Sequence, residues 1–306
     1  MTDIRKLPHG RESCVSYYGD YVLKRPLPTL GDEAREKWLV KQHKTKDVID
    51  SIRAVGNPIY NVPEMIHIHD EEYQILERYA PGEPLTAKLF NSLTRRQQVE
   101  IVYSLAHFLV DMNESRPVKE WTRHKIADEL KFTRLNNFID NKMARWFSNE
   151  EIRFMDRVRN EIGTFEYETR PAWSHCDLNP GNVLYDAKNS RLSFIDFAEA
   201  GYQLIYRDIF SIVSMELGIG ARVYEAYNEI HNFDLYDIPG PNTENMRKIM
   251  KYRLATVLLR RLIKAADDMR LNPANEKSVA NNEQKVAFAR DVMQRLKELG
   301  VGNELV

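Results

Sequence analysis

The chain has 306 residues, with 44 Lys and Arg against 45 Asp and Glu, a net charge of −1, and 43% hydrophobic and 29% charged residues. That length suits a large core in two lobes or two domains, and the near-neutral balance gives no general pull toward nucleic acid or a membrane surface. Two cysteines, Cys14 and Cys176, make no disulfide framework, the first ten residues lack the apolar core of a signal peptide, and apolar runs such as Ile101–Val110 are too short to span a bilayer, so a cytoplasmic protein is expected.

Val15–Tyr18 and Tyr21–Lys24 read as strands joined by a hairpin turn at Gly19-Asp20. A helix is expected from Asp32, its N-cap, to Val55, stopped by Gly56-Asn57-Pro58. Its basic run Lys41–Lys46 reads as a wet face. Met65–His69 and Tyr73–Arg78 are two further strands around Asp70-Glu71-Glu72. His67 and His69 share a strand face but lack a third metal ligand. Beyond residue 85 the pattern turns helical. Thr94 to about Asn113 is amphipathic, with Val99, Val102, Leu105, Ala106 and Leu109 on one face. Two or three helices are expected over 119–162. Val183–Tyr185 and Leu192–Ile195 then read as a strand pair around the turn-rich Asp186–Arg191. Met246–Arg270 reads as one long helix.

The segment His175-Cys176-Asp177-Leu178-Asn179-Pro180-Gly181-Asn182 precedes that strand pair, and Ile195-Asp196-Phe197 closes it. An aspartate followed five residues later by an asparagine matches the H-R-D-x-x-x-x-N loop of kinases. A second aspartate beyond a short hairpin matches D-F-G. Asp177, Asn182 and Asp196 thus stand at the spacing that a phosphoryl-transfer centre requires. Singly, each part has a bland reading: Asn-Pro-Gly is a common turn, His175 a core histidine, Asp177 a turn cap. In register, with an apolar strand on either side, they favour chemistry.

These residues, with Phe194-Ile-Asp-Phe-Ala-Glu-Ala200, resemble the signature of the aminoglycoside phosphotransferase and choline kinase-like family, usually written H-G-D-x-x-x-x-N and I-D-F/W. The chain departs from it at Cys176, where glycine is usual, and from protein kinases at Ala198, where D-F-G has its glycine. Leu76-Glu-Arg-Tyr-Ala-Pro-Gly-Glu-Pro-Leu85 is similar to the family's hinge. The resemblance implies an α+β, two-lobed protein kinase-like fold. A small lobe over 1–78 holds an antiparallel sheet and one helix. A hinge follows near 77–83, and a large, mostly helical lobe over 79–306 carries the catalytic loop and acceptor site.

The resemblance also implies an enzyme that needs ATP and Mg2+ and phosphorylates a hydroxyl of a small molecule, as aminoglycoside, choline or homoserine kinases do. Asp177 is the implied base and His175 braces its loop by hydrogen bonding. Asn182 and Asp196 are the implied magnesium ligands. Lys24 contacts the α- and β-phosphates, Ser13 follows a reduced phosphate loop at Gly10, and Glu36, or Glu33 one turn earlier, pairs with Lys24. Adenine contacts fall around Glu77 to Tyr79, mainly through backbone groups. Asp208 resembles a structural aspartate of the family.

Asp208 comes only 12 residues after Asp196, with no A-P-E end, so neither activation-loop phosphorylation nor a peptide acceptor is expected. Met246–Arg270 carries eight Lys or Arg and two aspartates. A polycationic aminoglycoside wants carboxylates around it, so a sugar, amino alcohol, amino acid or nucleoside-like acceptor ranks above an antibiotic. Two alternatives remain at this stage: a non-catalytic nucleotide-binding protein on the same fold, or a kinase-fold enzyme that modifies protein or transfers AMP.

Overall fold

The computed structural model describes residues 5–6, 13–116, 122–125, 132–169, 171–204, 206–231, 244–269 and 276–302. The chain divides into two compact units, Met1–Lys119 with Arg170–Asp234, and Glu120–Thr169 with Leu235–Val306.

The first unit opens with a five-stranded antiparallel sheet. Its strands are β1 (Arg5–Lys6), β2 (Ser13–Tyr18), β3 (Tyr21–Pro26), β5 (Met65–His69) and β6 (Gln74–Arg78), in the order β1-β2-β3-β6-β5. Gly19, at φ 58°, makes the tight β2–β3 turn that a side chain would resist. The second of the paired strands begins at Gln74 because Tyr73 takes φ 50° in the turn, its N–H bonded to Asp70 O at 3.2 Å. Helix α1 (Asp32–Val55) is capped by Gly31 in an extended conformation, not by Asp32, which lies inside the first turn with Glu33. There both carboxylates meet the positive end of the helix. Gly56, left-handed at φ 72°, closes it, and Trp38, Leu39, Val48, Ile49 and Ile52 are its buried face.

A second sheet has β4 (Tyr60–Asn61), β7 (Glu83–Pro84), β9 (Val183–Asp186) and β10 (Arg191–Phe194) in the order β4-β10-β9-β7, after β8 (Pro171–Ser174) in the chain. Gly82 is held at φ 124°, where a Cβ would come within 2.7 Å of the Tyr185 carbonyl carbon, so the hinge glycine lets β7 lie against β9. The short α2 (Ala87–Ser92) leads into α3 (Arg95–Ser115), which starts with a full capping box at Thr94 and Gln97. The core forms where α3 crosses this sheet: Phe108 stacks on Phe194 at 3.7 Å and meets the Tyr60 ring edge-on at 5.4 Å. Tyr60 also donates to the buried Asp111 carboxylate at 2.7 Å, which accepts from Asn57 Nδ2 at 2.8 Å. β8 pairs with β11 (Gly201–Leu204). Helix α4 (Gly220–His231) packs along α3, with Asn113 Nδ2 donating to the Tyr227 hydroxyl at 2.9 Å.

In the second unit the expected helices over 119–162 appear as Phe132–Asn137, running through a π-helical stretch Phe138–Met143 into Ala144–Trp146, and as Asn149–Thr164 with a capping box at Ser148. A strand pair, Thr122–Lys125 with Glu166–Thr169, is an addition that no pattern announced. The expected 246–270 helix is Glu244–Asp267, followed by Glu276–Glu298. Glu161 is the unit's polar anchor. It accepts from the Tyr252 hydroxyl at 2.7 Å and Gly302 N at 2.6 Å, and pairs with Lys251 at 3.1 Å. Among the described residues, no helix is long and apolar enough to cross a membrane.

Candidate active site

β9 and β10 pair from Val183↔Phe194 to Asp186↔Arg191, and the Ile195 N–H donates to Asn182 O at 3.0 Å. That ladder carries Asp196 back beside Asn182, despite the sequence between them. At the other end, Asn182 Nδ2 donates to Asp177 O at 2.9 Å and to Asp177 Oδ2 at 3.0 Å. Asn179 shapes the bend between them, its Oδ1 accepting from Gly181 N at 2.8 Å. Among the described residues nothing donates a hydrogen bond to the Asn182 amide oxygen, and Asp196 stands exposed in a left-handed conformation, φ 61°.

His175 is fully buried. Its Nε2 meets Ile195 O at 2.9 Å and Asp177 N meets its Nδ1 at 3.3 Å. A carbonyl accepts and an amide donates, so the network selects the Nε2–H tautomer. The imidazole therefore bridges the two ends of the hairpin, as a brace should. Beneath it lies Asp208, also buried, whose Oδ2 accepts from His175 N at 2.7 Å and whose Oδ1 accepts from Gln203 Nε2 at 2.6 Å. Burial pushes the Asp208 carboxyl up, against the opposing hydrogen bonds from the His175 and Cys176 amides. Asp208 sits in a four-residue helix, Tyr206–Ile209. Gln203, its second partner, carries no motif and was not foreseen.

Cys176 takes φ 68° between these two anchors. Its Sγ lies 3.5 Å from Ser174 O and from Gly201 O, and burial pushes the thiol up to about 12. Such a thiol is inert at neutral pH.

Lys24 departs from expectation. Its Nζ pairs with Glu77 Oε2 at 2.7 Å, not with a carboxylate of α1. Glu36 accepts from the Tyr73 hydroxyl and Glu33 pairs with Lys37 at 2.6 Å. The cause is register: β3 and β6 pair with Val22 opposite Glu77, which sets Glu77 diagonally across from Lys24. The Asp196 charge acts on Lys24 as well, so the lysine and the hairpin share one electrostatic environment. Ser13 is the first residue of β2, and Gly10–Glu12 before it fall outside the described residues.

The hinge backbone is also more committed than expected. Arg78 N donates to Glu64 O and Tyr79 N to Asp20 O, both at 2.8 Å. Ala80 is the next residue, and its N–H has no hydrogen-bond partner among the described residues.

Comparison with known proteins decides the lineage. A model of the phosphotransferase enzyme family matches residues 3–241. The chain belongs to that family. No curated protein matches it. Among solved structures, the GDP complex of wild-type aminoglycoside 2'-phosphotransferase-IIIa is 12% identical, with TM-score 0.60 over 96% of this chain and 93% of that one. The gentamicin complex of APH(2")-IIa is 16% identical, with TM-score 0.56 over 94% and 91%. A choline/ethanolamine kinase family protein from Mesorhizobium loti is also 16% identical, with TM-score 0.56 over 98% and 92%. The protein kinase-like fold is common to all of them.

In this phosphotransferase the donor set suits magnesium. A carboxylate and an amide oxygen are hard ligands, and magnesium completes its shell with water and phosphate rather than an all-protein cage. Among the described residues no group of three or more His, Cys, Asp or Glu is arranged to hold a metal ion, and His67 and His69 form no such group. One contact had no sequence signal: Lys41 on α1 pairs with Glu199 at 2.7 Å, in the short turn after Asp196. The rest of the basic run is the expected wet face: Lys44 is exposed, and His43 and Lys46 make solvent-exposed pairs with Asp70 and Asp50.

Proposed function

We propose that this phosphotransferase moves the γ-phosphoryl group of ATP to a hydroxyl of a small molecule, with magnesium. The observation that carries the reading is the Asp177–Asn182 bond. Asn182 spends both amide protons on Asp177, so one carboxylate oxygen is fixed while the other is left to orient and deprotonate an acceptor hydroxyl. The Asn182 oxygen and the Asp196 carboxylate would hold the metal, which supplies charge neutralisation at the β- and γ-phosphates. Lys24 would hold the α- and β-phosphates. The Ala80 N–H would serve adenine in place of the Arg78 and Tyr79 amides. Ser13 would reach phosphate from the start of β2. Phosphoryl transfer asks mainly for such placement, so these groups suffice.

The short segment after Asp196 supports a small acceptor and constitutive activity. After Asp196 the chain makes one 3-10 turn, Phe197–Glu199, and enters β11 at Gly201. That leaves no span for a phosphorylated activation segment or a docked peptide. The solved structures of similar fold include a gentamicin complex and a choline/ethanolamine kinase family protein, both 16% identical, a likeness that does not choose between an antibiotic and a metabolite alcohol.

The test is ADP release from ATP and magnesium across a panel of amino alcohols, sugars, amino acids, nucleosides and aminoglycosides, with mass spectrometry of the product. A mass gain of one phosphate is expected. Gain of one AMP, or no turnover on any acceptor despite nucleotide binding, overturns the reading. Asp177→Asn should lower turnover about 10²–10⁴-fold with nucleotide affinity retained. Asp196→Ala should instead weaken magnesium-dependent ATP binding, which calorimetry reads directly.

A further inference from the structure

In this chain a strand, not the helix, supplies the carboxylate for Lys24. Glu77 belongs to β6, hydrogen-bonded to β3 along Tyr21↔Arg78, Val22↔Glu77, Leu23↔Leu76 and Lys24↔Ile75. The two side chains lie on one face of that ladder with Nζ and Oε2 2.7 Å apart, and they keep only 22% and 9% of their exposure. Burial alone would push the Lys24 ammonium toward its neutral form; Glu77 first, then Asp196, reverse that and hold it charged. The carboxylates of α1 near this end are engaged elsewhere, Glu36 with Tyr73 and Glu33 with Lys37. α1 reaches the hairpin instead through Lys41 and Glu199, beyond Asp196.

We propose that Glu77 is the positioning residue for Lys24, fixed by sheet register, so that the lysine stays aimed and charged independently of where α1 lies. A helix carboxylate travels with its helix. One on a neighbouring strand travels only if the ladder breaks. An ammonium has three donors, so Glu77 can keep one while phosphate oxygens take the others. The proposal rests on the reading of Lys24 as a phosphate ligand.

The test uses the intact chain without nucleotide, acylated by an amine-directed reagent at pH 8, with Lys24 labelling followed by mass spectrometry. A parallel titration measures the affinity for a non-hydrolysable ATP analogue. Glu77→Gln removes the charge that holds the proton, so Lys24 should label about threefold faster or more, since each unit of lost pKa gives about tenfold more free amine. Analogue affinity should fall about tenfold, as for a lost charge-assisted contact. Glu77→Asp, one methylene shorter, should lie between, and it carries the comparison if Glu77→Gln does not fold. Glu36→Gln should change both readouts less than Glu77→Gln. Unchanged labelling in Glu77→Gln, or a larger effect from Glu36→Gln, overturns the proposal. Faster labelling with unaltered analogue affinity instead overturns the phosphate role of Lys24, which separates the two failures.

Discussion

Cys176 occupies a backbone conformation that its side chain resists, and the size of that resistance can be measured with two substitutions. At φ 68° a residue with a Cβ crowds its own carbonyl, at a cost of about 1–2 kcal/mol. Glycine escapes that cost but gives up about 0.4–1 kcal/mol more unfolded-chain entropy than alanine does. Cys176→Gly and Cys176→Ala both lose the sulfur and its contacts near Ser174 O and Gly201 O, so those terms cancel between them. The difference leaves Cys176→Gly more stable than Cys176→Ala by about 1 kcal/mol, opposite to the order at an ordinary position. Urea denaturation of both variants, with m-values compared, reads it. Equal stability, or alanine ahead, would refute the claim that this loop needs a left-handed residue between His175 and Asp177. It would also remove the physical reason for glycine in the related motif.

Gly82→Ala should destabilise by at least about 2 kcal/mol, since both φ 124° and a 2.7 Å approach to Tyr185 backbone oppose a methyl group; denaturation and loss of β7 amide protection would show it. Tyr60→Phe should cost about 1.5–3 kcal/mol by removing a charge-assisted hydrogen bond from the buried Asp111, measured in the same way. Burial raises Glu161, but the bonds from Tyr252, Gly302 and Lys251 outweigh it and leave the carboxyl below its usual 4.5. A depressed folded value stabilises above the unfolded value and is lost as pH falls through the folded one. Amide protection factors in Asn149–Thr164, corrected for the intrinsic exchange rate at each pH, should therefore fall on acidification below about pH 4.5, and Glu161→Gln should flatten that dependence.

The hairpin that brings Asn182 and Asp196 together was legible because its determinants are local. Turn residues, two alternating strands and fixed spacings lie within about twenty positions, and short-range geometry then leaves little freedom. The strands before the hinge and the helices α1 and α3 were legible for the same reason. What stayed hidden depends on register and long-range packing. The partner of Lys24 follows from which residue of β6 lies opposite Val22, and no local pattern encodes that pairing. Glu36 stands on a helix where a lysine partner is expected, yet the turn at Tyr73 claims it. Gln203 and Glu199 look like ordinary surface residues until β11 and the turn before it place them. The Thr122–Lys125 strand is only four residues long and pairs with a segment more than forty residues away, beyond the reach of periodicity.

That small ribbon has a consequence for how such a chain diversifies. The polypeptide leaves the first unit after Lys119 and re-enters at Arg170, and its outgoing and incoming arms are laced together from Thr122↔Thr169 to Lys125↔Glu166. Whatever is looped out past the lacing begins and ends at neighbouring points, so lengthening or trimming it changes closure entropy only slowly. The freedom is limited to exposed turns of the loop, because Phe154, Met155, Val158 and Ile162 are buried and Glu161 is tied to Tyr252, Lys251 and Gly302.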